Sequence, residues 1–209
     1  KNISDFRKSL IDKDLFEAVI KLPLDMFFDT NIHTYIWILN NKKEKDRKDK
    51  IQLINATNFY EKLGRSLNKK TNLISEKNKN DILNIYLKLK ENDFSKIIDK
   101  EDFLYSRIKV DYPLMENGKP VFDKKGKQKI ISEYERIPFG IDVNDYFENE
   151  IKKYLPEGTL DKKKIKIGCE ITFNKYFYNY EEPQESKKVL NDIIEIDKEI
   201  NETTRKILG

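Results

Sequence analysis

Three short apolar runs near the start of the chain predict β-strands. They span Leu15 to Leu22, His33 to Leu39 and Lys50 to Ile54. Apolar runs of this length, rich in β-branched and aromatic residues and bounded by turn residues, are typical of buried strands. A short helix over Asp5 to Ile11, capped by Ser4, is predicted before them. A sheet with so few strands lacks neighbours, so we expect a piece of a larger α/β fold.

Helical spacing predicts one helix in the middle of the chain. The stretch 55–72 is polar and without period, so no regular structure is predicted there. Ser75 then caps a helix. Its apolar face consists of Ile82, Ile85, Tyr86 and Leu89, at the spacing of an amphipathic helix.

Further strands and a second helix are predicted downstream. Strand-like runs cover Phe103 to Tyr112 and Ile165 to Ile171. Between them, the turns Asn117-Gly118 and Lys125-Gly126 flank Val121-Phe122 and predict a small surface β-hairpin. The second helix opens at Asp142 and continues to Leu155, before Pro156 and Gly158.

The last segment, Glu185 to Leu208, has the apolar seam of a docking helix. Its members are Val189, Ile193, Ile196, Ile200, Thr203 and Ile207, at heptad spacing. The seam fits either a helix that docks on a partner or a terminal helix folded back on its own domain. An aromatic patch precedes it, with Phe173, Tyr176, Phe177, Tyr178 and Tyr180. The patch could stack on bases or could serve packing or a subunit interface.

Composition excludes several classes of protein. Hydrophobic residues make up 38% of the 209 residues and charged residues 37%, and no apolar run approaches membrane-spanning length. The first ten residues lack the apolar core of a signal peptide. We therefore expect a cytoplasmic protein that does not bind a membrane. Because His33 is the only histidine and Cys169 the only cysteine, no disulfide and no zinc cluster is expected, and we predict no metal site.

Charge permits contact with nucleic acid without requiring it. The net charge is +4, and the cations cluster locally, as in Lys42 to Lys50 and Lys162 to Lys166. In the first cluster, the candidate phosphate contacts are Lys42, Lys43, Lys45 and Arg47. The same residues could equally form a solvated loop.

Nucleotide-binding and triad motifs are absent from the sequence. All seven glycines are isolated, so there is neither a G-x-G-x-x-G nor a P-loop. No Ser or Asp stands at a recognisable spacing from His33, which we expect to face solvent or a neighbour.

The order of several segments resembles a known family. Leu15 to Pro23 (LFEAVIKLP), Phe27 to Asn40 (FFDTNIHTYIWILN) and Lys50 to Ala56 (KIQLINA) resemble the late strands of the adenine-specific DNA methyltransferase (M) subunit of type I restriction-modification systems. Arg65-Ser66, Lys69 to Leu73, Asp102 to Tyr105 and Ile108 to Val110 look like its region after the sheet. Pro138, Lys166 to Ile171 and Phe177-Tyr178 look like its C-terminal region.

The resemblance implies a fold, an activity and a domain organisation. The family has a Rossmann-like catalytic sheet and transfers a methyl group from S-adenosylmethionine to adenine in DNA. Its glycine-rich motif and its Asn-Pro-Pro-Phe motif are missing from these residues, so the chain is expected to be the C-terminal portion, inactive when isolated. Residues 1–60 would be late strands of the catalytic domain, 61–135 a connecting region with a helix and a β-hairpin, and 136–209 a mostly helical region ending in a docking helix.

The resemblance also assigns candidate roles. Phe27 is the first candidate, and Phe28 the second, for stacking on the adenine that is flipped out of the duplex. Two adjacent phenylalanines beside a strand could instead belong to the core. Thr30, Asn31 and Thr34 would support the loop or contact DNA. The seam of the last helix would dock on the specificity subunit, with Val189, Ile193, Ile196, Ile200 and Ile207. A restriction subunit is a further candidate partner.

A second hypothesis belongs to a different class. The chain could be a scaffold that binds nucleic acid or a partner and never meets S-adenosylmethionine. Self-association of the isolated chain would favour the first hypothesis, because missing strands would leave apolar sheet edges exposed.

Overall fold

A computed structural model describes residues 3–178 and 184–208. Its contacts divide the chain into a unit that ends at Phe177 and a second unit that begins at Tyr178. The first unit contains two four-stranded sheets and two small two-stranded ladders. The architecture is therefore mixed α/β, as the apolar pattern predicted.

The first sheet contains the three strands predicted near the start of the chain. β1 (Phe16–Lys21) is antiparallel to β2 (Tyr35–Leu39) and parallel to β3 (Lys50–Asn55). β6 (Ser95–Asp99) is antiparallel to β3 and completes the order β2-β1-β3-β6. β2 thus forms one edge of the sheet.

Two helices cover the faces of this sheet. α1 (Ile3–Asp12) packs Leu10 and Ile11 on one face, and α2 (Glu76–Lys88) packs Ile82 on the other. β1 and β3 are consequently buried on both faces, which explains why their sequences are nearly continuous apolar runs.

α2 begins where its sequence predicted. The Ser75 hydroxyl accepts a hydrogen bond from the Asn78 amide, and the Asn78 side chain closes a capping box on the Ser75 amide. Leu89 ends the helix in the left-handed conformation, with φ of 44°.

The second sheet is built around one long strand, β7 (Leu104–Pro113). β10 (Ile130–Pro138) lies along one side of β7 over nine register positions, and β11 (Thr159–Leu160) and β12 (Lys166–Cys169) share the other side. β7 and β12 confirm the two downstream strand predictions. β10 was not predicted from sequence.

One face of the second sheet packs on a short helical segment. α3 (Val143–Tyr146) is capped by the Asp142 carboxylate and passes into a π-helical turn, Phe147–Ile151. Phe147 is buried there with Ile108, Val110 and Ile137. The predicted continuous helix to Leu155 is wrong, because the backbone bonds shift to π spacing after one turn.

Two small ladders complete the first unit. β4 (Glu61–Leu67) pairs with β5 (Lys70–Leu73), within a stretch for which no regular structure was predicted. β8 (Met115–Glu116) pairs with β9 (Lys119–Pro120) around Asn117-Gly118, and both turn residues have positive φ. Gly126 also has positive φ, and Phe122 and Gln128 form a bridge on either side of it.

The aromatic patch takes part in the core of the first unit. α4 (Phe173–Tyr176) buries Phe173, which stacks on Phe177 at a centroid distance of 4.9 Å, and Tyr176 packs against Phe103. These contacts confirm packing for the three residues. Tyr180 lies outside the described residues.

The second unit contains one long helix, α5 (Ser186–Leu208), which confirms the predicted terminal helix.

Candidate nucleic-acid interface

The loop between β1 and β2 presents two phenylalanine rings at the surface. Phe27 is 50% exposed and Phe28 is 59% exposed. Assignment of either ring to the core is therefore wrong. Adjacent exposed aromatic rings offer a flat apolar surface on which a base can stack.

Hydrogen bonds connect this loop to the β4–β5 hairpin, which is not part of the first sheet. The buried Asn72 side chain donates to the Leu24 carbonyl at 2.8 Å. The Asp25 carbonyl accepts from the Thr71 and Asn72 amides, and the Asp29 amide donates to the Asn68 carbonyl at 2.9 Å. The hairpin thus fixes the backbone on both sides of the phenylalanines.

Local geometry closes the loop tightly around the two rings. Asp25 and Asp29 both have φ of 55°, a conformation that Asp tolerates better than most residues. Phe27 and Thr30 form a two-residue bridge. Phe28 and Asp29 therefore form the tip of a turn, and Phe27 lies directly before it.

The three polar candidates of the loop have different surroundings. Thr30 is half-buried and Asn31 is exposed. The Thr34 carbonyl accepts from the Leu22 amide at 2.9 Å, which closes the base of the loop. The Thr34 hydroxyl is buried and has no protein hydrogen-bond partner among the described residues. His33 lies beneath the loop, with Nδ1 3.3 Å from the Leu22 carbonyl.

The hairpin carries several cations, and one of them lies beside a ring of the loop. Lys62, Arg65 and Lys69 are exposed, and the Lys70 ammonium lies 5.6 Å from the centroid of the Phe28 ring. Glu61 is the only carboxylate in the sequence of this hairpin. Sequence reasoning named the phenylalanines but missed these cations, because it assigned no structure to the hairpin. Their close spacing in the sequence was the available signal.

The structure corrects two of the four predicted phosphate contacts. The Lys43 side chain is 2% exposed and donates to the Asp14 carboxylate at 2.6 Å. Arg47 is also buried, and its guanidinium stacks on Tyr86 at 4.5 Å from the ring centroid. Neither cation can reach a phosphate group. Lys42 and Lys45 are exposed, so phosphate contact by these two residues stays a prediction.

Arg47 belongs to a buried polar network beneath the first sheet. Its Nε lies 3.7 Å from the Glu17 carboxylate, and its Nη1 donates to the Gln52 side chain at 3.2 Å. The Tyr86 hydroxyl donates to Glu17, and burial together with this hydrogen bond raises the pKa of Tyr86 to about 12. The network connects the charged loop 42–50 to β1, β3 and α2.

The carboxyl end of β1 and β3 shows no cradle for S-adenosylmethionine within the described residues. Ligands of open α/β sheets bind beyond the carboxyl ends of parallel strands. At that end of β1 and β3, the Ala56 amide donates to the Lys21 carbonyl, and Leu22 and Ala56 are buried. Gly118, Gly126 and Gly140 have positive φ, and a Cβ at any of them would meet nothing within 4 Å, so they lie in open turns and form no cradle.

Residues 3–178 and 184–208 contain neither a cluster of metal ligands nor a helix that could span a membrane. No group of three or more His, Cys, Asp or Glu side chains is placed to hold a metal ion there. None of the helices described there combines the length and the apolar character needed to cross a membrane.

The apolar seam of α5, taken by itself, is accessible. Val189, Ile193, Ile196, Ile200 and Ile207 are each at least 40% exposed. None of the residues of α5 is buried.

Comparisons with known proteins agree on one family. A family model described as N-6 DNA Methylase matches residues 2–120. Among curated proteins, the chain is 40% identical over 97 residues to the type I restriction enzyme MjaVIII methylase subunit of Methanocaldococcus jannaschii, covering 46% of this chain and 16% of that protein. It is 24% identical over 162 residues to the MjaIX methylase subunit of the same organism, covering 78% of this chain and 28% of that protein.

Two more similarities extend across organisms. The type I restriction enzyme MpnII methylase subunit of Mycoplasma pneumoniae is 35% identical over 96 residues, which are 46% of this chain and 16% of that protein. A crystal structure of the type I restriction-modification system methyltransferase subunit from Streptococcus thermophilus aligns with a TM-score of 0.40 and 26% identity, over 48% of this chain and 20% of that chain. The chain thus spans between 16% and 28% of the length of the curated relatives it matches.

Proposed function

Because the chain belongs to the N-6 DNA methylase family, we propose that it forms the C-terminal part of an adenine-specific modification subunit of a type I restriction-modification system. In this role, it completes the target-base pocket of an enzyme that methylates adenine in DNA. The methyl donor and the catalytic residues belong to other parts of the subunit.

The exposed pair Phe27 and Phe28 is the observation that carries this proposal. An adenine must leave the duplex to be methylated, and an aromatic ring beside the site holds the extruded base by stacking. Lys70, beside the Phe28 ring, and the exposed cations of the same hairpin are suited to the phosphates that flank that base. Thr30, Asn31 and Thr34 would contact DNA or support the loop, and the Thr34 hydroxyl has no hydrogen-bond partner among the described residues.

Two structural observations support a division of the active site between parts of one subunit. The carboxyl end of β1 and β3 shows no cradle for S-adenosylmethionine, and β2 exposes an apolar edge that has no partner strand among the described residues. S-Adenosylmethionine supplies the methyl group when bound in the complete subunit. The residues described here position the base and exclude water beside it.

Partner binding is assigned to α5. Its exposed seam would dock on helices of the specificity subunit, whose own domains read the DNA sequence, and a restriction subunit is a further partner of such an assembly. The specificity subunit then reads the DNA sequence, while Lys42 and Lys45 of this chain contact phosphates. The cytoplasm is the compartment this function requires.

The test is methyl transfer by the intact protein with Phe27→Ala. Losing a base–aromatic stack of about 1–3 kcal/mol should lower kcat/KM by about 5- to 150-fold. Transfer of labelled methyl groups from S-adenosylmethionine to unmodified genomic DNA measures it. Phe122→Ala is the matched control, since Phe122 is also exposed, at 55%, but lies in a different loop.

The outcomes separate the two functional hypotheses. Wild-type turnover in the Phe27→Ala variant, with unchanged DNA binding, would remove Phe27 from the base pocket. An intact protein that binds DNA and its partner but transfers no methyl group would support the scaffold instead.

A further inference from the structure

One face of the second sheet is open, opposite the face that packs on α3. Side chains alternate along β7, so Leu104, Ser106, Ile108 and Val110 are buried, whereas Arg107 is exposed. Tyr105, Lys109 and Asp111 share the face of Arg107, because positions two apart in a strand point the same way. This face lies outside the loop that holds Phe27 and Phe28.

Three cations form a row across this face. Arg136 of β10 and Lys166 of β12 are both in register with Arg107 of β7, one on each side. Neighbouring strands are about 4.8 Å apart, so the row is roughly 10 Å long. Like charges directly opposite each other destabilise a sheet. The stability of the sheet therefore does not explain why these three cations lie in register.

The two arginines are held flat by tyrosine rings. The Arg107 guanidinium lies 3.9 Å from the centroid of the Tyr134 ring, and that of Arg136 lies 4.8 Å from the Tyr105 ring. Tyr105 in turn lies directly over Gly168, where a Cβ would overlap the tyrosine ring. Stacked guanidiniums keep their N–H edges available for phosphate oxygens.

The face carries an excess of positive charge. Lys109 pairs with Asp111 at 2.6 Å, and Arg136 pairs with Glu170. The four cations of the face therefore meet two carboxylates. Arg136 keeps a side-chain exposure of 57%, and Arg107 and Lys166 are also exposed.

We propose that this cationic face, consisting of Arg107, Lys109, Arg136 and Lys166, binds the phosphate backbone of duplex DNA beyond the target base. The proposal rests on DNA being the substrate, as proposed above. A bound phosphate relieves the repulsion within the row and accepts paired hydrogen bonds from the guanidiniums. Such contacts position the duplex and carry no sequence information.

Salt-dependent DNA binding by the intact protein tests the proposal. The probe is a fluorescent duplex, and the variant is Arg107→Gln with Arg136→Gln and Lys166→Gln. Each lost phosphate contact lowers the log–log salt slope by about 0.9, so the triple variant should bind more weakly with a slope smaller by about 2.7. Replacement of the exposed Lys77, Lys88 and Lys90 by Gln changes the net charge equally and should leave the slope within about 1 of the wild-type value.

A single substitution guards against misfolding of the triple variant. Lys166→Glu alters one exposed side chain and should lower the slope by about 1. The proposal is overturned if the triple variant and the control bind alike with equal slopes. It is also overturned if duplex RNA binds as tightly with the same dependence on the three cations.

Failure of the face and failure of the proposed function have different signatures. Normal DNA binding by the triple variant, combined with loss of methyl transfer by Phe27→Ala, would refute DNA binding by the cationic face and leave the proposed function supported. Normal methyl transfer by Phe27→Ala, combined with weakened DNA binding by the triple variant, would support the cationic face and refute the base pocket.

Discussion

The guanidinium of Arg47 lies among buried polar groups although its sequence neighbours are charged. It meets Glu17, Gln52 and the ring of Tyr86. A charged side chain is buried only when its hydrogen bonds are satisfied, and here the partners come from β1, β3 and α2. No local pattern in the sequence indicates such partners.

Arg47→Ala should destabilise the fold strongly. Removal of one partner leaves the Glu17 carboxylate buried without its cation, which costs about 3–5 kcal/mol. Urea unfolding measures the change in the free energy of unfolding. Lys45→Ala, two residues away and exposed, should change it by less than about 0.5 kcal/mol. Equal effects of the two substitutions would contradict the burial of Arg47.

Cys169 should be chemically inert in the folded chain. Its side chain is 2% exposed, and burial raises the pKa of the thiol to about 11, so the reactive thiolate is scarce at pH 8. We expect slow reaction with an aromatic disulfide reagent in buffer and rapid reaction in urea. The coloured thiol that the reagent releases reports both rates. Equal rates in the two solvents would show that Cys169 is accessible.

Elements with an apolar run of their own were predictable from sequence. β1, β3, β7 and α2 each bury such a run, so their periods are visible in the chain. β10 is different, because eight of its nine residues are not fully buried, and its place is set by register with β7. The β4–β5 hairpin is also mostly exposed, and backbone bonds to the loop define it. Strands whose position depends on a partner distant in sequence are therefore hard to predict from the local hydropathy pattern.

Asn72→Ala should loosen the phenylalanine loop. The substitution removes the hydrogen bond to the Leu24 carbonyl and leaves that acceptor unpaired, at a cost of about 1–3 kcal/mol. Chymotrypsin, which cuts after aromatic residues, should then cleave at Phe27 or Phe28 faster than in the unmodified chain. Asn80→Ala, at an exposed position of α2, serves as the control. Unchanged cleavage would show that the backbone bonds suffice.

β2 leaves one edge of the first sheet without a partner among the described residues. Ile36, Trp37 and Leu39 are each at least 38% exposed along it. An exposed apolar edge strand is a template for pairing with another chain. Its hydrogen-bonding groups and its apolar side chains both favour association.

The 209-residue chain on its own should therefore self-associate at micromolar concentration. Ile36→Lys places a charge on the edge and should shift the population towards monomer in sedimentation velocity. Leu87→Lys adds the same charge at a position of α2 that is 63% exposed, and should leave association unchanged. A monodisperse unmodified chain would be evidence against an accessible edge.

The shape of the phenylalanine loop depends on residues made much later in synthesis. Asn72 is 48 positions beyond Leu24, and all of β2 and β3 lies between them. Closing so long a segment has an entropic cost that must be met before the contact forms, so such contacts arise late in folding. A nascent chain that ends before β5 would hold a completed β1–β2 pair beside a loop without its final conformation. The phenylalanine loop thus takes its final conformation only after β5 has been made, and premature release of the chain would leave the β1–β2 pair without it.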